Sequence, residues 1–237
     1  SLREDTALIS IQWGNNEVGA MQPIKECGEL CKERGITFHT DAVQPIGQLA
    51  IPVLPDMTTI AAHKFYGPKG IGALIVRDHV ELCPQILGGG QEFNLRAGSE
   101  NLPAIVGMAK ALEISLEKQP AEEKRLITLR DDFIAQLEAL PGVTLNGPRT
   151  ARLPNNANIR FEGRSGETIV IQLDLKGIAA ATGSACASGS SGPSHVLEAM
   201  GRSDKAASEN IRFSLGASTT KEDIDTTVAV ITEILSQ

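Results

Sequence analysis

Apolar positions along this chain change period several times, and each change marks an element. ALISIQ (7–12) is an apolar run of strand length, closed by the polar turn WGNNEVGAMQ. Pro23 then stands at a helix start, PIKECGELCKER repeats its apolar residues at helical spacing, and Gly35 supplies the stop. ITFHT follows as a second strand. Strand, helix, strand in that order predicts neighbouring parallel strands joined by a crossover helix.

TTIAA (58–62) and IGALIVR (71–77) are further strands, separated by the turn GPKG. The glycine-rich stretch GGGQEFNLRAGSEN (88–101) reads as a long irregular connection, of the kind that carries function or covers something. From Leu102 the pattern is helical through Glu117, and a second helix is predicted over 121–140, where PGV stops it. Beyond lie short strands near 143–145 and 158–161, a helix near 167–175, a helix from Ser194, the strand NIRFSL and a last helix from Lys221. The long helical passage marks a boundary. Residues 1–112 are expected to belong to a larger α/β domain and 113–237 to a smaller α+β domain.

Composition narrows the classes of function. The 237 residues have average apolar content, which excludes disorder and collagen-like repeats and allows one large or two modest domains. No apolar run approaches the roughly 18 to 20 residues that cross a bilayer, and SLREDTALIS has no signal-peptide character, so the chain reads as cytoplasmic. A net charge of −7, scattered basic residues, one Trp and one Tyr argue against nucleic acid or an anionic membrane as partner. A small molecule or another protein fits better.

The cysteines stand at 27, 31, 83 and 186, and in this context are expected to be reduced. Cys27 and Cys31 are one helical turn apart, but no His or further Cys follows at ligand spacing, so no metal is expected and both read as packed thiols. Cys83 also reads as structural. Cys186 differs: ATGSACASGSSGPSHVL (181–197) sets it among Gly, Ser and Ala, a flexible loop with little to bury a thiol.

Four residues carry candidate chemistry at strand ends. Asp41 and Gln44 fall at the carboxyl end of ITFHT, and TTIAA delivers His63 and Lys64 to the same edge, where open α/β sheets place ligand-binding groups. A partly buried Lys suits Schiff-base chemistry, although a Lys at a strand end also serves as an ordinary surface cation. GPKGIG lacks the spacing of a phosphate loop. An acid that holds a pyridine nitrogen protonated, followed by such a lysine, matches the needs of pyridoxal phosphate (PLP).

With these residues in place the sequence closely resembles the cysteine desulfurases, PLP-dependent enzymes of aminotransferase fold type I, and in particular the group serving iron–sulfur cluster assembly. The resemblance runs in order through NNEVG (15–19), HTDAVQ (39–44), HKFYGPKG (63–70), RAGSEN (96–101), GSACASGSSGPSHVL (183–197) and IRFSLG (211–216). It implies an α/β fold, part of a parallel-rich large-domain sheet followed by an α+β small domain.

By that resemblance Lys64 bonds PLP covalently and later moves the Cα proton of L-cysteine. Asp41 pairs with the pyridine nitrogen, Gln44 donates to the ring's phenolic oxygen, Asn15 lies near cofactor and substrate carboxylate, and His63 contacts the phosphate beside the lysine. Ser99 stands where the family usually has a Thr that reaches the neighbouring subunit's phosphate, which implies a homodimer. Arg212 clamps the substrate carboxylate. Cys186 is the nucleophile that becomes a persulfide, releases alanine and passes sulfur to an acceptor protein, an iron–sulfur scaffold or a sulfur relay. His195 reads as a helix-start residue. Two departures stand out. Ala61 replaces a Ser whose hydroxyl holds the phosphate, and the family's N-terminal part has no counterpart here, so a piece of a longer chain with an incomplete large-domain sheet is expected. A selenocysteine lyase, an aminotransferase of the same fold, or a non-catalytic remnant are the alternatives.

Overall fold

The computed structural model describes residues 2–51, 55–183 and 194–236. It contains two compact units, Ser1–Gly14 with Gln22–Pro120, and Asn15–Met21 with Ala121–Gln237.

Four strands make the sheet of the first unit: β1 (Leu8–Gln12), β2 (Thr37–Asp41), β3 (Met57–Ala61) and β4 (Gly72–Val76), bonded in that order. β1, β2 and β3 are parallel, and β4 returns antiparallel to β3. The crossover from β1 to β2 is α1 (Ile24–Arg34), which ends where Gly35 takes φ 64. Alternation along the strands buries Phe38, Thr40, Thr58 and Ile60 on one face. Gly28 of α1 lies over that face, so close that a Cβ there would meet the Phe38 ring at 3.5 Å. The opposite face is mixed, with Leu8, Met57, Leu74 and Val76 beside a polar cluster. The His39 ring is hydrogen-bonded through Nδ1 to the Ser10 hydroxyl (2.7 Å) and through Nε2 to that of Thr59 (2.8 Å), bridging three strands.

Beyond β3 the chain makes a short 3-10 turn, Ala62–Phe65, anchored by the buried Phe65. Tyr66 follows at φ 66, a left-handed conformation that costs a non-glycine residue roughly 1–2 kcal/mol.

One helix, α2 (Leu102–Glu138), replaces the two expected between 102 and 140. The predicted break at QPAEE does not occur although Pro120 lies inside the helix. Proline removes one backbone donor, but LEK before it and AEEKRL after it are strong helix formers that carry the helix through. The division expected at 112/113 therefore falls within α2, whereas the units part at Pro120 and Ala121 and residues 15–21 fold with the second unit.

That second unit holds an antiparallel sheet, β5 (Val143–Leu145), β6 (Asn156–Phe161) and β7 (Asn210–Ser214), in the order β5-β6-β7. The later turns of α2 join α3 (Gly166–Asp174), α4 (His195–Ala199), α5 (Asp204–Ser208) and α6 (Lys221–Leu235). The short α5 has no counterpart among the predicted elements. Four of the helices begin on a hydroxyl cap: Ser165, Ser194, Ser203 and Thr220 accept N–H bonds from Thr168, Leu197, Ala206 and Asp223. Leu137, Ile159, Phe161, Leu173, Ile211 and Ile231 are fully buried in its core. Phe133 meets Phe213 edge to face at 5.0 Å.

Asn15–Met21 is stitched into this unit by polar contacts. Asn15 Oδ1 accepts the N–H groups of Glu17 and Val18, both at 2.9 Å, and Ala20 forms a bridge with Arg152. Gly19 has φ +73, and any Cβ there would stand 2.7 Å from Asn156 Oδ1, so the turn admits glycine alone. The buried Arg152 guanidinium donates to the carbonyls of Pro148, Asn146 and Asn156. Burial, then the neighbouring Arg130, lowers its pKa to about 10, so it remains charged at neutral pH.

Candidate active site

Ligand-binding groups in open α/β sheets gather at the carboxyl ends of parallel strands. Asp41 is the last residue of β2. Its carbonyl accepts the Trp13 N–H (2.9 Å), and its Oδ1 accepts the Val43 N–H (2.9 Å) in the turn that follows. The other carboxylate oxygen has no hydrogen bond among the described residues, so it is the one that can meet a ligand. Gln44 lies half-buried in the same turn.

Lys64 sits on the 3-10 turn directly after β3, the parallel neighbour of β2. It is half-buried, and no group among the described residues bonds its Nζ. His63 precedes it and is exposed. The fold thus brings Asp41, Gln44, His63 and Lys64 to one sheet edge. Ser99 is not part of that group; it is exposed in the connection before α2.

The second unit assembles Asn15 and Arg212. Arg212 lies in β7, paired across the sheet with Asn158, and exchanges two backbone hydrogen bonds with Ala181, at 2.6 and 3.1 Å. Its half-buried guanidinium has no ion pair or hydrogen bond among the described residues. The turn uses the amide oxygen of Asn15, which leaves its NH2 group to present.

Cys186 lies outside the described residues; Gly183 and Ser194 are the described residues on either side of its segment. They are neighbours in space, since a Cβ on Gly183 would stand 3.6 Å from that of Ser194. The buried Glu17 accepts a hydrogen bond from the Ser194 hydroxyl. Sequence reasoning passed over Glu17, whose only signal is an acid between Asn and Val in the turn NNEVG. His195 is exposed as the first residue of α4.

Of the other cysteines, Cys31 is buried and its pKa is raised, chiefly by that burial, while Cys27 is half-buried. Cys83 corrects the expectation of a packed thiol: it is exposed, in an irregular stretch with no element over it. No metal-ligand cluster occurs among the described residues. Nor is any described helix long and apolar enough to cross a membrane.

The donor set at the first sheet edge fits PLP. A carboxylate oxygen is open to a pyridinium N–H, an uncommitted amine stands on the turn after the adjacent strand, and an amide lies in the turn after Asp41. Ala61, just before the 3-10 turn, has no hydroxyl, and the turn has no side-chain cap.

Residues 1–227 match the aminotransferase class-V family. The chain belongs to the class-V aminotransferases. Among curated members of that family, a protein named cysteine desulfurase IscS from Clostridium botulinum is 48% identical over 243 residues. The match takes in 100% of this chain and 61% of that protein, so the chain spans less than two thirds of its relative's length. A solved NifS-like protein superposes with a TM-score of 0.90 at 37% identity, covering 99% of this chain and 62% of the other. The structure of SspA in complex with cysteine superposes at 0.71, also at 37% identity, over 91% of this chain and 60% of that one. This class-V chain is accordingly mixed α/β with a parallel-rich sheet, as expected.

Proposed function

We propose that this class-V chain is the part of a PLP-dependent cysteine desulfurase that holds the cofactor lysine and the sulfur-carrying cysteine. The observation that carries the reading is the presence of Asp41 and Lys64 at the carboxyl ends of the adjacent parallel strands β2 and β3. The names of the curated relatives, and the cysteine bound by SspA, support L-cysteine as substrate.

PLP, when bound, supplies an electron sink that weakens bonds at the Cα and Cβ of an amino acid. Lys64 Nζ is the group that bonds it, Asp41 keeps the pyridine nitrogen protonated, and Gln44 donates to the phenolic oxygen. His63, with Ser99 of a second copy, serves the phosphate, which makes the working form a homodimer. Arg212 takes the substrate carboxylate in a planar two-point grip, with the Asn15 amide beside it. Lys64 then carries the proton at Cα. Cys186, as thiolate, attacks the substrate sulfur: an S–S bond forms, the Cβ–S bond breaks, and Cβ gains a proton. In sum, one protein thiol and one cysteine give one protein persulfide and one alanine, with no outside oxidant. The sulfur then passes to an acceptor protein, an iron–sulfur scaffold or a sulfur relay.

Two variants test this. Adding PLP to the protein is expected to produce the visible absorbance of a lysine-bound cofactor, and Lys64→Ala to abolish it. Cys186→Ser is expected to keep that absorbance and lose alanine release from L-cysteine. Absence of the band in the unaltered protein would overturn the enzyme reading for this chain. Undiminished alanine release from Cys186→Ser would overturn the persulfide step and favour a lyase.

A further inference from the structure

Glu17 has no role in the chemistry above, yet its carboxylate is only 5% exposed and sits in the second unit at the two described ends of segment 184–193. Burying a carboxylate is costly unless hydrogen bonds repay it. Here the repayment comes from Ser194, itself 5% exposed, whose hydroxyl donates to Glu17 Oε2. The same hydroxyl accepts the Leu197 N–H at 3.3 Å as the N-cap of α4. The other described end passes close by: a Cβ added to Gly183 would stand 2.9 Å from Glu17 Oε2 and 3.8 Å from Ser194 Oγ.

Glu17 is itself held firmly. Its N–H donates to Asn15 Oδ1 at 2.9 Å, and its carbonyl accepts from the amides of Asn156 (3.2 Å) and Asn158 (3.1 Å). Asn158 pairs across the sheet with Arg212, which exchanges backbone bonds with Ala181, two residues before Gly183. One hydrogen-bonded assembly therefore joins Asn15, Arg212, Ala181 and Ser194. Cys186 is three residues from Gly183, and three residues of chain span at most about 11 Å.

We propose that Glu17 is a positioning residue: its carboxylate holds Ser194, with Gly183 passing beside it, and so fixes, relative to Arg212, the point at which the Cys186 segment rejoins α4. The inference rests on Cys186 being the sulfur carrier, but the hold on Ser194 is tested without turnover.

The test is the alkylation rate of Cys186 by iodoacetamide in the protein, read by mass spectrometry of its peptide against the exposed Cys83. Glu17→Ala and Ser194→Ala should each shift the Cys186 to Cys83 rate ratio by about threefold or more, in the same direction, and the double variant should shift it no further than the larger single change. Glu17→Gln, whose amide oxygen can still accept the Ser194 hydroxyl, should restore most of the ratio. A ratio unchanged in Ser194→Ala, or single effects that multiply in the double variant, would overturn this role. Ser194→Ala removes one hydroxyl only, so it carries the test should Glu17→Ala fail to fold. In turnover, Ser194→Ala should lower kcat while leaving KM for cysteine within about twofold, because Arg212 is untouched. A change in KM alone would also overturn it. Should Cys186 prove not to carry sulfur, the alkylation results would stand as predicted while alanine release from Cys186→Ser persists, which separates the two failures.

Discussion

Ala61 ends β3 and precedes the 3-10 turn that carries Lys64, and its methyl group leaves that turn uncapped. A hydroxyl here would offer the cofactor phosphate a donor. Ala61→Ser is therefore expected to lower the PLP dissociation constant by about fivefold, the worth of a hydrogen bond of about 1 kcal/mol, in a titration of the protein with PLP. An unchanged constant would contradict placing the phosphate beside this turn. At Arg212 the geometry of the donor matters as well as its charge. Arg212→Lys keeps the charge but loses the planar fork, and is expected to raise KM for cysteine by about tenfold with a smaller effect on kcat. The placement of Asp41 and Lys64 at strand ends was legible in the sequence because strand patterns end at or just before them, whereas Arg212 was singled out by resemblance alone. Glu17 was not legible. Its role depends on positions 17, 183 and 194 meeting in space, and no local period reports a contact between such distant parts of a chain.

Among the elements, β6 and β7 are joined by a buried ion pair as well as by their ladder. Glu209, between α5 and β7, accepts from Arg160 at 2.8 and 2.7 Å and from the Gly163 N–H at 3.1 Å, with its side chain 4% exposed. Burial pushes its carboxyl pKa up, but the hydrogen bonds from Arg160 and Gly163 outweigh that and hold it below the ordinary value of 4.5. The folded state therefore binds this proton more weakly than the unfolded chain does. Its stabilisation is complete above the unfolded value and is lost as pH falls through the folded one. Glu209→Gln is expected to cost about 2 kcal/mol at neutral pH, because the partly exposed Arg160 loses a charge-assisted hydrogen-bond partner but keeps Glu162 nearby. The variant should also lose less stability than the unaltered protein between neutral and strongly acidic pH in urea denaturation. Parallel acid profiles would contradict the assignment. Elements with strong period or clear stops, such as α1 before Gly35 and α6 after Thr220, were legible from sequence. The continuity of α2 was not, because a proline's local cost was outweighed by helix-forming neighbours on both sides.

In the molecule as a whole, Asp41, Gln44 and Lys64 belong to one compact unit, and Asn15 and Arg212 to the other. NNEVG looked like a simple turn between a strand and a helix of the first unit. Its amides and Gly19 instead fold against β6, because Asn156 and Asn158 supply the donors its carbonyls need. The residues proposed for cofactor and for substrate thus belong to two separately packed parts of one chain, with the described residues on either side of the Cys186 segment in the second. The most direct test of the central claim is the mass of the Cys186 peptide after the PLP-loaded protein meets one equivalent of L-cysteine. A gain of one sulfur atom at Cys186, matched by an equal amount of alanine and absent from Lys64→Ala, is the predicted result. Alanine and sulfide released with no sulfur gained at Cys186 would contradict it.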